Sequence, residues 1–153
     1  GTIDAVICVD LPSDVVEEKQ LNDALKKENI ALIKLITPTT SEERIKDIVR
    51  SAAGFIYSVN VEGQTGVKSA DVDKVNSQIE KIKKYTKIPV VSGFGIKNEE
   101  DVQIFSNSKA DGVVLGSAII KEIQKKSNEV DDKHIVANFI KNYFKKLIKN
   151  LDK

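Results

Sequence analysis

Five apolar, β-branched runs, at positions 3–9, 30–36, 55–59, 88–92 and 112–115, recur along the chain. Their near-continuous hydrophobicity predicts strands covered on both faces, as in a parallel sheet. Between the runs, apolar residues return every three or four positions, the period of a helix with one buried face. Leu21, Ala24 and Leu25 form one such stripe. Ile45, Ile48, Val49 and Ala52 form a second, opened by a capping box from Thr40 to Glu43. Val72, Val75, Ile79 and Ile82 form a third. Asn98 stands where it caps a fourth helix, with Val102 and Phe105 facing the sheet. Ile119, Ile120 and Ile123 start a fifth, and 125–132 reads as a polar break. Val136, Phe139, Ile140, Tyr143, Phe144 and Leu147 then predict a C-terminal helix over 133–151. That stripe is most simply core-facing; a partner-binding helix is the alternative.

The order is strand–helix repeated five times with one extra helix, which predicts an α/β fold with a parallel sheet in a single domain, 1–153. Two architectures fit. One is a complete, doubly wound, flavodoxin-like sheet of five strands. The other is the last five β/α units of a (β/α)₈ TIM-type barrel, whose full form needs about 250 residues. The glycines favour the barrel. Doubly wound nucleotide folds place the phosphate loop after the first strand, but here that strand runs into Val9-Asp10-Leu11-Pro12, without glycine. The glycines instead follow the last two strands, in Gly93-Phe94-Gly95-Ile96 and Gly116-Ser117-Ala118-Ile119. Glycine turns that lead into helices let backbone N–H groups face an anion, and many barrels hold a phosphate at their last two loops. A small phosphorylated molecule is the expected ligand.

Composition narrows the alternatives. The 24 basic and 23 acidic residues leave a formal charge of +1, which offers no general attraction for nucleic acid or an anionic membrane surface. No apolar run approaches the roughly 20 residues of a membrane span, and none reads as a signal peptide. The late lysines Lys145, Lys146 and Lys149 alternate with apolar residues as a solvated helix face would. Cys8 is the single cysteine, which excludes an intrachain disulfide and suits a reducing, cytoplasmic setting. Within its strand it reads as a buried structural thiol. His134 is the single histidine, without a second His or Cys to share a metal, and reads as a surface residue. No metal is expected. The chain opens at Gly1 without methionine, directly before the first strand, and reads as a processed chain or a piece of a longer one.

Four motifs in order carry a family likeness: Asp10-Leu11-Pro12 after the first strand, Tyr57 followed by Gly63-Gln64-Thr65-Gly66 after the third, and the two late glycine turns. The chain resembles the tryptophan synthase alpha chain from Gly1 to about Ile123, and the remainder suits that family's last helix. The resemblance implies a (β/α)₈ barrel entered near its fourth strand. It implies a lyase of tryptophan biosynthesis that cleaves indole-3-glycerol phosphate to indole and glyceraldehyde 3-phosphate. It also implies an α₂β₂ complex with a beta chain that holds the pyridoxal phosphate, and no cofactor in this chain.

Carried over residue by residue, Gly66, Gly95, Gly116 and Ser117 match the positions that bind the substrate phosphate. Plain turn geometry is the competing reading for each glycine taken singly. Phe94 matches a residue lining the indole pocket, with core packing as its alternative. Tyr57 matches a residue near the catalytic carboxylates, and a buried structural tyrosine is the alternative there. Thr65 matches the threonine of a mobile loop that closes over substrate, spanning 61–69. Val61 and Glu62 depart from the arginine, serine or threonine common in that loop. The family's catalytic glutamate and aspartate would both lie before Gly1, so no residue here takes either role; Asp10, Asp111 and Glu62 match neither. The chain alone is therefore expected to release no indole, and its two open strand edges are expected to make it associate or aggregate. The alternatives are another phosphate-binding barrel enzyme, from histidine or thiamine biosynthesis, and a non-catalytic flavodoxin-like phosphate-ligand binder.

Overall fold

The computed structural model describes residues 2–12, 15–59, 69–93 and 99–149. The order is β1(Ala5–Ile7), α1(Val16–Lys27), β2(Ala31–Ile36), α2(Glu42–Ser51), β3(Ile56–Val59), α3(Ser69–Lys83), β4(Val90–Gly93), α4(Glu99–Ser106), β5(Gly112–Val114), α5(Ser117–Glu129) and α6(Lys133–Lys149). All pairings are parallel and the spatial order is β1-β2-β3-β4-β5. Strands that neighbour one another in strict chain order, joined by right-handed crossovers, carry their helices on one face. A doubly wound sheet reverses direction at a switch point and covers both faces. The sequential order excludes the flavodoxin-like alternative and leaves a five-strand arc of a barrel.

Strand alternation sorts the side chains. Lys34, Ile56 and Val90 are register partners, as are Ile36, Ser58, Ser92 and Val113, and these layers lie beneath the helices. The core is built there: Ile36, Ile56 and Val90 pack with Ile45, Ile48 and Val49 of α2, Val75, Ile79 and Ile82 of α3, Val102 and Phe105 of α4 and Leu147 of α6. Each fully buried aliphatic contributes about 1.5–3 kcal/mol of transfer free energy. Leu147 carries the predicted core-facing stripe of the last helix into this cluster, while Lys145, Lys146 and Lys149 are exposed. Leu35, Tyr57, Val59, Val91, Gly93 and Val114 occupy the opposite, concave face and are only half-buried.

Three local expectations change. The cap of α2 is Ser41, whose Oγ accepts from the Arg44 amide at 3.3 Å, while Thr40 Oγ1 accepts from the Thr37 amide and closes the preceding turn. The polar stretch after α5 is mostly helix: α5 continues to Glu129, because its lysines and glutamates propagate a solvated helix well. The break contracts to 130–132, where Asp132 Oδ1 accepts from the His134 amide at 2.8 Å and starts α6. Helix α1 buries Glu18 and Asn22 rather than its apolar stripe; Leu21 and Leu25 are half-buried and Ala24 is exposed. The reason is Lys34, a charged residue on the helix-facing side of β2 that requires a buried counterion.

The N-terminal end of the arc is clamped by Asp111. Its Oδ2 accepts from the Val90 amide at 2.7 Å and its Oδ1 from Lys83 Nζ at 2.8 Å. Lys83 Nζ also donates to the Lys109 carbonyl at 3.0 Å. Asp111 thus sits at the end of the sheet opposite the glycine turns, where a barrel keeps its stability contacts.

Candidate functional site

The C-terminal ends of β1, β3, β4 and β5 lie along one rim of the arc. At β5 the chain leaves through Leu115 into Gly116, the N-cap of α5, and Ser117 is the first helical residue. Gly116 has φ −116°, so it is not placed there for a left-handed turn. A Cβ built on it would meet nothing within 4 Å. No side chain caps α5, and its first turn carries no acidic residue. The first amides of a helix have no partners within the helix and bear the positive end of its dipole. Gly116 and Ser117 are both exposed at the strand end, while Ala118 is buried and the Ile119 amide turns back to the Gly116 carbonyl at 3.1 Å. Helix starts of this general kind can receive anions.

Tyr57 stands on the concave face of β3, and its ring crosses to the end of β4. A Cβ on Gly93 would meet Tyr57 Oη at 2.0 Å, Cζ at 2.4 Å and Cε2 at 2.9 Å. Only glycine at position 93 leaves that space, and this close approach is what a glycine inside a strand commonly marks. The structure therefore brings the Tyr57 ring against Gly93, the last residue of β4. Nothing in the motif around Gly93 encodes this contact, because the ring comes from another strand. Thr65, Gly66, Phe94 and Gly95, with the loop 61–69 apart from its last residue and the Asn98 cap, lie outside the described residues. Of the seven expected site residues, Tyr57, Gly116 and Ser117 are described. Asp10 is exposed at the end of β1.

A second polar constellation was not expected. Lys34 Nζ forms an ion pair with Glu18, and both side chains are more than nine-tenths buried. Burial pushes the Lys34 ammonium below its ordinary range. Beside the pair, a cavity of about 380 Å³ opens among α1, α2 and the ends of β1 and β2, bounded by Cys8, Leu11, Pro12, Thr37, Arg44 and Ile48 among others. Cys8 is half-buried there rather than fully enclosed. The legible signal was Lys34 itself, the single charge in the apolar run 30–36. Neither Tyr57 nor Gly93 lines this cavity. Among the described residues, no group of three His, Cys, Asp or Glu could hold a metal ion, and no helix is long and apolar enough to cross a membrane.

Residues 1–149 match the family model described as tryptophan synthase alpha chain. A tryptophan synthase alpha chain of Caulobacter vibrioides is 43% identical over 122 residues, covering 80% of this chain and 43% of the relative. One of Bacillus thuringiensis is 41% identical over 127 residues, covering 83% of this chain and 48% of the relative. The solved tryptophan synthase subunit alpha of Campylobacter jejuni superposes with TM-score 0.73 at 34% identity, over 92% of this chain and 54% of its own. That of Legionella pneumophila str. Paris superposes with TM-score 0.78 at 29% identity, over 97% and 52%. The chain spans about half the length of the relatives it matches. With Gly93 ending β4 and Gly116 opening α5 in a five-strand barrel arc, and with the family model matched over residues 1–149, this chain belongs to the tryptophan synthase alpha chain family.

Proposed function

We propose that this chain forms the phosphate-holding side of the active site of a lyase that cleaves indole-3-glycerol phosphate to indole and glyceraldehyde 3-phosphate in cytoplasmic tryptophan biosynthesis. The observation that carries the reading is the uncapped, open N-terminus of α5 at Gly116-Ser117, in a chain of this family. There the helix amides and the Ser117 hydroxyl receive the phosphate, with Gly66 and Gly95 assigned to the same group. Tyr57, held over Gly93, orients a catalytic carboxylate, Phe94 lines the indole pocket, and Thr65 belongs to the loop that closes the site.

The cleavage needs a proton delivered to indole C3 and one removed from the side-chain hydroxyl. Two carboxylates of separated pKa perform such work in an apolar pocket. The family motifs give this chain neither of them. Its contribution is binding and orientation, so by itself it supports no turnover. A tryptophan synthase complex from Pyrococcus furiosus is among the similar structures, and a beta chain is the partner proposed here. The test is indole release from indole-3-glycerol phosphate. The 153-residue chain alone is expected to be silent, and the chain supplied with the first three β/α units of a relative is expected to turn over. In that reconstituted enzyme Ser117→Ala should raise KM with kcat largely kept. Turnover by the chain alone, or an unchanged KM in Ser117→Ala, would overturn the assignment.

A further inference from the structure

We propose that the cavity between α1 and α2 binds a free α-amino acid with an apolar side chain, its carboxylate meeting Lys34 and its ammonium meeting Glu18. The first observation is where the ion pair lies. Lys34 and Glu18 both line the cavity, and both side chains are more than nine-tenths buried. Beyond their mutual contact, neither Lys34 Nζ nor Glu18 Oε1 has a hydrogen-bond partner among the described residues. An ammonium has three donors and a carboxylate accepts at each oxygen, so both groups keep capacity for a second partner. A buried ion pair adds little stability over apolar residues of similar volume. Stability alone therefore does not account for its place on a cavity wall.

The second observation is the rest of the lining. Leu32, Ile33 and Ile48 are buried and Leu11 is half-buried, which sets an apolar wall beside the two charges. Thr39, Ser41 and Arg44 also line the cavity and are exposed, so it opens to solvent through a polar mouth. Its volume of about 380 Å³ stands at the low end of the roughly 300–1,000 Å³ of small-molecule sites. Every lining residue belongs to the first two β/α units, both of which the chain contains.

Charge selects the ligand. The pair is neutral as a unit. A simple anion or cation entering beside it would add an uncompensated charge away from water, whereas a zwitterion adds none. An α-amino acid carries both charges around one carbon, as the two wall groups stand side by side, and its side chain meets the apolar wall. Burial disfavours the Lys34 ammonium, and a second carboxylate beside it favours the charged form.

Equilibrium dialysis of labelled L-leucine against the 153-residue chain tests this. The expected result is saturable binding of one molecule per chain. Isocaproate, which lacks the ammonium, and isoamylamine, which lacks the carboxylate, should each bind at least about tenfold more weakly. The double replacement Lys34→Met with Glu18→Leu leaves no charge unpaired and should abolish binding, with far-UV circular dichroism confirming that it keeps its helices. The chain completed by the first three β/α units of a relative should hold leucine within about twofold of the same affinity. Absence of saturable binding, isocaproate bound as well as leucine, binding kept in the double variant, or binding lost on completion of the barrel would each overturn the proposal.

Discussion

Gly93→Ala tests the concave face most sharply. The added methyl would stand 2.0 Å from Tyr57 Oη, 2.4 Å from Cζ and 2.9 Å from Cε2. Restoring ordinary contact requires the end of the ring to move by well over an ångström. Overpacking of this kind costs about 1–3 kcal/mol, while the generic Gly→Ala effect in a strand is stabilising by about 0.5–1 kcal/mol. The clash should win, for a net loss of about 1–2 kcal/mol. Removing the ring isolates the cause. In a Tyr57→Ala background the same substitution should be neutral or stabilising, whereas Tyr57→Phe should rescue little because Cζ and Cε2 stay in place. The assay is urea unfolding followed by circular dichroism, since the chain has no tryptophan. Equal costs of Gly93→Ala with and without the Tyr57 ring would refute the reasoning.

Other outcomes follow from the same geometry. Lys34→Met or Glu18→Leu alone leaves one uncompensated buried charge and should cost about 3–5 kcal/mol, while the double replacement should be close to neutral in the same urea titration. Burial pushes the Asp111 carboxyl up, but the Lys83 ammonium and the Val90 amide together outweigh it and hold the carboxyl below its ordinary range. Its stabilisation is therefore complete above the unfolded carboxylate pKa and is lost as pH falls through the lower folded value. Asp111→Ala should flatten that acid limb of stability measured against pH, and an unchanged limb would reject the clamp. Ser41→Ala should remove the α2 cap and cost about 1 kcal/mol. Gly54, at φ +71° and with Ile33 Cδ1 3.1 Å from a built Cβ, should lose about 1 kcal/mol or more on substitution by alanine.

The architecture was legible because it rests on period. Runs such as 30–36 and 88–92 are too continuously apolar for a one-sided sheet, and stripes such as Val75, Ile79 and Ile82 fill the core as their spacing requires. The choice of a barrel arc over a doubly wound sheet also came from sequence, through the place of the glycines, and the sequential strand order bears it out. Local chemistry was less legible. Thr40 and Ser41 can each cap a helix, and only the backbone conformation decides between them. Helix α1 departs from its apolar spacing because Lys34 on β2, opposite it, draws Glu18 inward. At the rim, the spacing of Gly116 and Ser117 foretold the strand end and the start of α5, but the task of Gly93 depends on a ring from another strand. No spacing within one segment encodes that contact.

The central claim, that this chain holds the substrate phosphate at the start of α5, is tested most directly by titrating glyceraldehyde 3-phosphate into the ¹⁵N-labelled chain. The expected result is saturable shifts concentrated at the Ser117 and Ala118 amides, lost in a Gly116→Val variant. Amides at the start of α5 that stay fixed while the ligand saturates elsewhere would contradict it.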